Sequence, residues 1–338
     1  MQDTLNYTLK DFKSESEVRW CPGCGDHAVL NAVQKAMANL GIRHEDFAVI
    51  SGIGCSSRFP YYMSTFGFHT IHGRAAAIAS GVKCANPNLT VWEITGDGDA
   101  LAIGGNHFIH TIRRNIDLNI ILFNNKIYGL TKGQYSPTTD RGFVTKTSPM
   151  GTIEDPFVPG QLVLGAGGAF FARCVDNNLK HSQEIFEEAA KFKGTSVVEV
   201  LQNCVIFNDG IHEAISDPKT REERQIFLKH GEPMIFGNTR DKGIVLEKGK
   251  LRVVQIGENG VTAEDVLVHD AMDQDGFLHQ SLINMKFPDF PVAMGVIRAV
   301  PSKVYNEAMV AQIEEAKSKS KIKTVDQLLS SGNTWTVE

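Results

Sequence analysis

The sequence predicts an α/β protein built on a doubly wound, mostly parallel sheet with a C-terminal extension. Short apolar segments that have the composition of buried strands alternate along the chain with amphipathic segments of helical period. Strands separated by helices pair in parallel, because a parallel connection needs a crossover of a dozen or more residues. The composition agrees with this class, since 42% of the 338 residues are hydrophobic and 22% are charged.

The predicted elements follow in chain order. Apolar periodicity predicts helices over residues 26–39, ended by Gly41, and over residues 74–85, ended before Pro87. Further helices are predicted over residues 104–115 and 181–193. The predicted strands are residues 47–51, 90–95, 118–123, 170–175 and 196–201.

The alternation weakens after about residue 205, which suggests a boundary there. We predict a main domain over residues 1–204 and a C-terminal extension over residues 205–338 that packs on it. Within the extension, residues 243–255 have the pattern of a hairpin and residues 305–317 that of a surface helix.

Charge and cysteine usage narrow the possible partners. A net charge of −5 and an isoelectric point near 6.1 give no reason to expect nucleic acid or an anionic membrane as a partner. No apolar run approaches the length of a membrane span, and the polar start has no signal-peptide core. We therefore expect a cytoplasmic protein. Six cysteines in a chain of this length favour thiolate chemistry over a disulfide framework.

A glycine-rich turn follows the predicted strand 90–95. The glycines of Gly96-Asp97-Gly98 let the backbone approach phosphate oxygens, and Asp97 offers the hard oxygen ligand that Mg²⁺ prefers. An isolated turn of this composition is common in proteins. A second motif therefore decides its interpretation.

That second motif is Asn124-Asn125, which comes after 25 intervening residues and closes the predicted strand 118–123. The helix between the two strands makes a βαβ unit, so both strand ends lie at one edge of the sheet. Asn125 and the carbonyl of Ile127 can then complete a metal shell. The pair of motifs indicates a metal-bridged diphosphate and resembles the motif of thiamine diphosphate enzymes in its start, its length and its end.

Four cysteines are predicted to converge at the same edge. One loop carries a Cys-x-x-Cys pair, and the other two cysteines each follow a predicted strand. These four are Cys21, Cys24, Cys55 and Cys204. Cys84 and Cys174 fall inside a predicted helix and a predicted strand, where cysteine behaves as a small apolar residue.

Two metal centres fit four thiolates. Structural zinc is one, because four-cysteine zinc sites are common. An iron-sulfur cluster is the other, and the diphosphate motif favours it. Oxidative thiamine chemistry needs an electron acceptor, and no Gly-x-Gly-x-x-Gly dinucleotide fingerprint follows a strand here.

Five blocks of sequence make the resemblance more specific. They are residues 20–25 (WCPGCG), 53–58 (IGCSSR), 72–75 (HGRA), 96–99 (GDGD) and 124–138 (NNKIYGLTKGQYSPT). Together they resemble the β subunits of 2-oxoacid:ferredoxin oxidoreductases over about residues 18–210. The last block, with Lys132, and the Arg58 variant are most similar to the enzymes that act on 2-oxoglutarate.

The resemblance implies a set of cofactors and a fold of the thiamine diphosphate-binding type over residues 1–204. In that family the β subunit binds thiamine diphosphate, Mg²⁺ and one [4Fe-4S] cluster. The implied cluster ligands are Cys21, Cys24, Cys55 and Cys204, and the implied Mg²⁺ ligands are Asp97, Asn125 and the carbonyl of Ile127. The residues implied to line the cofactor are Ile53, Gly54, Cys55, Ser56, His72, Gly98, Asp99, Gly129 and Leu130.

The resemblance also implies a reaction and its partners. The enzyme would oxidatively decarboxylate 2-oxoglutarate to succinyl-CoA and CO₂, or run the reverse reaction, with coenzyme A as acyl acceptor and ferredoxin as electron acceptor. Lys132, Arg58 and His72 are the catalytic candidates, and Lys132 is the one expected to meet a substrate carboxylate. The chain has room for one thiamine-type domain. The carboxylate that activates the pyrimidine ring would then come from an α subunit in an (αβ)₂ assembly.

Three alternatives stay open at this point. The substrate could be pyruvate or a broad set of 2-oxo acids. The chain could belong to a non-oxidative thiamine decarboxylase that carries structural zinc. It could also be a non-catalytic electron-transfer module that uses the same fold.

Overall fold

The computed structural model describes residues 6–335 and residue 337. Its strands are β1 (Phe47–Ser51), β2 (Phe66–His69), β3 (Thr90–Gly96), β4 (Asn119–Asn124), β5 (Phe170–Val175), β6 (Ser196–Leu201), β7 (Gln225–Leu228), β8 (Ile235–Phe236), β9 (Lys242–Glu247), β10 (Lys250–Gln255) and β11 (Val292–Ala299). Its α-helices are α1 (Asp26–Leu40), α2 (Ala75–Ala85), α3 (Asp97–Leu101), α4 (Gly105–Arg114), α5 (Pro159–Gly165), α6 (Leu179–Lys191), α7 (Glu213–Ser216), α8 (Arg221–Arg224), α9 (Phe277–Ile283), α10 (Tyr305–Lys319) and α11 (Val325–Leu329).

The main sheet of the described residues has eight strands in the order β2-β1-β3-β4-β6-β5-β11-β7. The first six strands are parallel to one another, so their carboxyl ends meet at one edge. Strand β11 runs antiparallel to β5 and parallel to β7. The predicted α/β fold with a mostly parallel sheet is therefore confirmed.

Helices cover both faces of this sheet because successive strand residues point to opposite sides. In β4, Ile121 and Phe123 pack in the core beneath α1 and α6. Their neighbours Ile120 and Leu122 pack in the core beneath α2, α4, α5 and α9. Strands buried on both faces read as continuous apolar runs, which is why the sequence locates them well.

The C-terminal part contributes to the same sheet. Strands β7 and β11 extend it beyond β5, and the small antiparallel sheet β10-β9-β8 is formed there as well. The boundary at residue 204 stays a prediction, although the chain beyond it is continuous with the sheet of residues 1–204. Helix α10 is a surface helix in which Asn306 is the buried residue, and the short helix α11 follows it.

Candidate active site

A pocket opens at the carboxyl edge of the parallel strands, as expected for a doubly wound sheet. It is enclosed by the loops after β1, β2, β3 and β4 and by Asp26, the first residue of α1. All of the predicted cofactor and Mg²⁺ residues line it: Ile53, Gly54, Cys55, Ser56, His72, Asp97, Gly98, Asp99, Asn125, Ile127, Gly129 and Leu130.

Asp97 is the most unusual carboxylate in this pocket. It is the first residue of α3 and is almost fully buried. Its Oδ2 accepts hydrogen bonds from the hydroxyls of Ser136 and Thr138, both at 2.5 Å. Burial raises the pKa of Asp97 to about 6, against the opposing effect of these hydrogen bonds. Among the described residues no basic side chain forms a salt bridge with Asp97, which fits a bound divalent cation.

The Asn124-Asn125 turn places Asn125 beside Asp97 in the pocket wall. The side-chain oxygen of Asn125 accepts a hydrogen bond from the amide of Ile127 at 3.1 Å, and its nitrogen donates to Gln202 Oε1 at 2.8 Å. Lys126 between them has a positive φ of 57°, which turns the chain sharply. The turn therefore offers an amide oxygen and a backbone carbonyl next to the buried carboxylate.

Asp99 organises the loops around the pocket. Its side chain accepts hydrogen bonds from the amides of Ile53 and Gly73, at 3.2 and 2.8 Å, and from Thr95 Oγ1 at 2.8 Å. His72 Nδ1 lies 2.8 Å from Oδ1 of Asp99 but off the line of a hydrogen bond. Asp99 thus binds the loop after β1 and the His72 loop to α3, and it directs little of its carboxylate toward a ligand.

Glycine is required at Gly98 by the close approach of an aromatic ring. A Cβ at this position would lie 2.2 Å from the ring of Tyr128. The Tyr128 hydroxyl donates to the carbonyl of Gly98 at 2.9 Å, so ring and turn are held together. The Gly96-Asp97-Gly98 turn is therefore packed against the segment that follows Asn125.

The four predicted cysteines converge beside this pocket. A Cβ on Gly129 would lie 3.4 Å from Cys55 Sγ and 3.5 Å from Cys204 Sγ. Cys24 accepts a hydrogen bond from Gln202 Nε2 at 3.3 Å, and its amide donates to the carbonyl of Cys21 at 3.1 Å.

Electrostatics supports this proximity. Burial is the main cause that raises the thiol pKa of Cys55 to about 12 and that of Cys24 higher still. Asp26 raises both further, and Cys204 contributes to both because it is near. Arg58 opposes the shift of Cys55 as the smallest of these causes. Thiols with raised pKa values are mostly protonated at neutral pH, and a bound metal would favour their thiolate forms.

The other two cysteines lie elsewhere. Cys174 is buried within β5 in the core, and Cys84 lies in α2. Within the described part of the chain, no three side chains of His, Cys, Asp or Glu are grouped closely enough to hold a single metal ion.

Arg58 and Lys132 are not brought into the cofactor pocket. Arg58 is exposed, and its Nε donates to the hydroxyl of Tyr62 at 3.1 Å. Lys132 has a φ of 76° and borders a neighbouring groove together with Lys146 and Phe207. Their substrate roles stay predictions.

Sequence reasoning missed several residues that support the site. Ser136 and Thr138 hold Asp97, Gln202 bridges Asn125 and Cys24, and the buried Asp26 borders the pocket. Burial raises the pKa of Asp26 to about 7, with Asp176 as the next cause. The available signals were the Ser-Pro-Thr segment shortly after Lys132 and the position of Gln202 two residues before Cys204.

Comparison with known proteins agrees with this geometry. Residues 52–200 match the family described as thiamine pyrophosphate enzyme, C-terminal TPP binding domain. The whole chain is similar to "2-oxoglutarate oxidoreductase subunit KorB" of Mycobacterium tuberculosis, with 45% identity over 332 residues that cover 97% of this chain and 88% of that protein. This chain belongs to the β subunits of the 2-oxoacid:ferredoxin oxidoreductases.

Other members match a shorter part of the chain. A "2-oxoacid:ferredoxin oxidoreductase 1, subunit beta" of Aeropyrum pernix is 46% identical over 201 residues, which cover 60% of this chain and 63% of that protein.

Among solved structures, "2-oxoglutarate:ferredoxin oxidoreductase from Magnetococcus marinus with 2-oxoglutarate, coenzyme A and succinyl-CoA bound" aligns with a TM-score of 0.77. That match has 31% identity and covers 98% of both chains.

Family membership confirms the resemblance predicted from the five sequence blocks. As a β subunit of this family, the chain is part of an oxidoreductase that acts with an α subunit, and it contains a thiamine diphosphate-binding domain. Among the described residues no helix is long and apolar enough to cross a membrane.

Proposed function

We propose that this chain is the β subunit of a 2-oxoglutarate:ferredoxin oxidoreductase. The enzyme converts 2-oxoglutarate to succinyl-CoA and CO₂, or runs the reverse reaction, and exchanges the electrons with ferredoxin. One observation carries the proposal: Gly129 lines the pocket of Asp97 and Asn125, and a Cβ added to it would lie 3.4 Å from Cys55 Sγ and 3.5 Å from Cys204 Sγ. A diphosphate site and a thiolate cluster thus share one wall. The names of the M. tuberculosis relative and the M. marinus structure support 2-oxoglutarate as the substrate.

Mg²⁺ is the cation that this site fits. Asp97 supplies a carboxylate, and Asn125 and the carbonyl of Ile127 supply neutral oxygens, as hard cations prefer. The hydroxyls of Ser136 and Thr138 occupy Oδ2 of Asp97 and so orient the carboxylate. A buried acid with a raised pKa is stabilised in its charged form when a divalent cation lies beside it.

We assign a [4Fe-4S] cluster rather than zinc to Cys21, Cys24, Cys55 and Cys204. Oxidative thiamine chemistry needs an electron acceptor, which a cluster supplies and zinc does not. The relative named as a 2-oxoacid:ferredoxin oxidoreductase subunit supports the oxidative enzyme over a thiamine decarboxylase with structural zinc.

Bound thiamine diphosphate would supply carbon-carbon bond cleavage, Mg²⁺ would neutralise the diphosphate, and the cluster would accept single electrons. The residues of this chain contribute by binding and orienting the cofactor. The turn at Gly96, Asp97 and Gly98 lets backbone amides approach phosphate oxygens. Asp99 fixes the Ile53 and His72 loops, so that the pocket is formed in advance.

The partner subunit must complete this site. No glutamate of the described residues lines the pocket, and we assign the pyrimidine-activating carboxylate to the α subunit. Exposed apolar side chains on β2 and its surroundings, including Phe66, Phe68 and Ile71, are suited to be covered by that subunit. We propose an (αβ)₂ assembly in the cytoplasm, with ferredoxin as the external electron carrier.

Substrate recognition is assigned to Lys132, with Arg58 as the weaker candidate. Both are exposed cations near the carboxyl edge and are available to the carboxylates of a ligand held between two subunits. A substrate with a distal carboxylate needs such a cation, whereas pyruvate does not.

An assay of the αβ complex tests the proposed function. The purified complex should reduce ferredoxin when 2-oxoglutarate and coenzyme A are both present, and it should form succinyl-CoA. Release of CO₂ and succinic semialdehyde without ferredoxin reduction would favour the non-oxidative decarboxylase. Ferredoxin reduction with pyruvate at an equal kcat/KM would overturn the substrate assignment alone.

A further inference from the structure

A row of buried polar side chains runs behind the Asn124-Asn125 turn and crosses three strands. Arg173 on β5 donates through Nε to Oε2 of Glu199 on β6 at 2.7 Å. Oε1 of Glu199 accepts from Nδ2 of Asn124 on β4, also at 2.7 Å. These three side chains are almost completely excluded from solvent.

The row continues to the candidate Mg²⁺ ligand. Oδ1 of Asn124 lies 3.0 Å from Thr138 Oγ1, whose hydroxyl also donates to Oδ2 of Asp97. Thr138 has one hydrogen, for which Asp97 and Asn124 compete, and the hydroxyl of Ser136 lies 3.2 Å from the same oxygen. The position of that hydrogen decides how much of the negative charge of Asp97 is neutralised by a hydrogen bond.

Glu199 controls the competition for this hydrogen through the amide of Asn124. A carboxylate attracts the NH₂ end of the amide and repels its oxygen, so the oxygen is turned toward Thr138. Without Glu199 the amide is free to turn, and its NH₂ end would then donate to Thr138. The single hydrogen of Thr138 would go entirely to Asp97 and make that carboxylate a weaker metal ligand.

We propose that Arg173 and Glu199 are positioning residues for the Mg²⁺ site, which act on Asp97 through Asn124 and Thr138. Arg173 keeps Glu199 from being an unpaired buried charge, and Glu199 orients the amide. The proposal rests on the proposed function, because it assumes that Asp97 binds Mg²⁺ with thiamine diphosphate.

Two double variants that differ in one acceptor test this proposal. Replacing a buried ion pair by apolar residues of similar size is often neutral for stability, so Arg173→Met with Glu199→Leu should still fold. Arg173→Met with Glu199→Gln keeps an oxygen for Asn124. The measurement is the Mg²⁺ concentration that gives half-maximal binding of thiamine diphosphate to the αβ complex, together with the thermal midpoint of the same complex without ligands.

The Mg²⁺ concentration for half-maximal binding should be about three- to tenfold higher in the leucine variant than in the parent, which corresponds to the free energy of one hydrogen bond. In the glutamine variant this concentration should return most of the way to the parent value. The matched control is Lys83→Met with Asp117→Leu at the opposite edge of the sheet. It removes a second, largely buried ion pair, in which Nζ of Lys83 lies 2.9 Å from Oδ2 of Asp117. The control should leave the Mg²⁺ requirement within about twofold of the parent, since it has no contact with this row.

Equal Mg²⁺ requirements in the leucine variant, the glutamine variant and the parent would overturn the proposal. If the leucine variant does not fold, Asn124→Leu answers the same question, because it removes the competing acceptor and should raise the Mg²⁺ requirement by the same factor. A parent complex that binds thiamine diphosphate without any need for Mg²⁺ would instead refute the proposed metal site on which this inference depends.

Discussion

The two edges of the main sheet differ in whether their buried charged groups have salt-bridge partners among the described residues. At the amino edge, Lys83 pairs with Asp117 at 2.9 Å, and Asn115 accepts from the amide of Thr195 at 2.9 Å. At the carboxyl edge, Asp26 and Asp97 are buried with raised pKa values and no salt-bridge partner among the described residues.

We interpret the unpaired buried acids as a mark of the functional edge of the sheet. A fold driven by stability alone pairs its buried charges, because each unpaired one costs several kcal/mol. At the carboxyl edge, burial raises the pKa values of Asp26, Asp97, Cys24 and Cys55, and the proposed metal centres would stabilise the charged forms of these groups.

Loss of a cluster thiolate should have the largest effect. Replacing Cys21, Cys24, Cys55 or Cys204 by Ala should remove iron and abolish ferredoxin reduction, since each would supply one of four bonds. Iron content and ferredoxin reduction are measured under anaerobic conditions. The controls are Cys84→Ala and Cys174→Ala, which should retain both properties. A Cys204→Ala variant with the iron content of the parent would remove that residue from the site.

Loss of the buried carboxylate should rank second. Asp97→Ala removes the charged ligand of the proposed Mg²⁺ site, so thiamine diphosphate affinity should fall about a hundredfold while the fold is kept. Asn125→Ala removes a neutral oxygen and should cost about tenfold. Titration calorimetry with Mg²⁺ present measures both. Unchanged affinity in Asp97→Ala would mean that the diphosphate is not held through this residue.

Substrate choice should depend on Lys132. Lys132→Ala should lower kcat/KM for 2-oxoglutarate by about tenfold to a hundredfold, the value of a charge-assisted contact, with a much smaller loss for pyruvate. Lys146→Ala is the matched control, because Lys146 borders the same groove. Equal losses for both substrates would indicate that Lys132 contacts the carboxylate that all 2-oxo acids share, or the phosphates of coenzyme A.

A buried group outside the site should affect stability and not cofactor binding. Burial lowers the pKa of His269 to about 4, so this ring is neutral when folded, whereas it titrates near 6.5 when unfolded. The unfolded chain binds the proton first, and stability should therefore be lost as the pH falls from about 6.5 to 4.

Between pH 7 and pH 5 this residue should account for about 2 kcal/mol of the free energy of unfolding. His269→Gln should flatten that dependence in urea titrations while leaving thiamine diphosphate affinity at pH 7 unchanged. The same pH dependence in parent and variant would show that His269 is not the group responsible.

The parallel core could be predicted from sequence because its strands are buried on both faces. Strands β1, β5 and β6 have the predicted bounds, and β4 is displaced by a single residue. Strand β2 was missed because its four residues are exposed at the sheet edge and carry no buried run. Strand β11 was missed because its pairing with β5 joins segments more than a hundred residues apart, which local pattern does not register.

The site could be predicted only where short motifs carry it. The Gly-Asp-Gly and Asn-Asn turns and the four cysteines were identified from spacing and resemblance, and the structure brings them to one edge. Ser136, Thr138, Gln202 and Glu199 were missed because their roles come from contacts across strands and loops. Ser136 and Thr138 lie in the matched block 124–138, but the block alone does not show that their hydroxyls contact Asp97.

The central claim is that the carboxyl edge holds both a diphosphate cofactor and an iron-sulfur cluster. Elemental and cofactor analysis of the αβ complex, purified without oxygen, tests it most directly, provided that metal bound by α alone is subtracted. We expect about four irons and four acid-labile sulfides per β chain, together with about one thiamine diphosphate. One zinc per β chain, with neither iron nor sulfide, would contradict it.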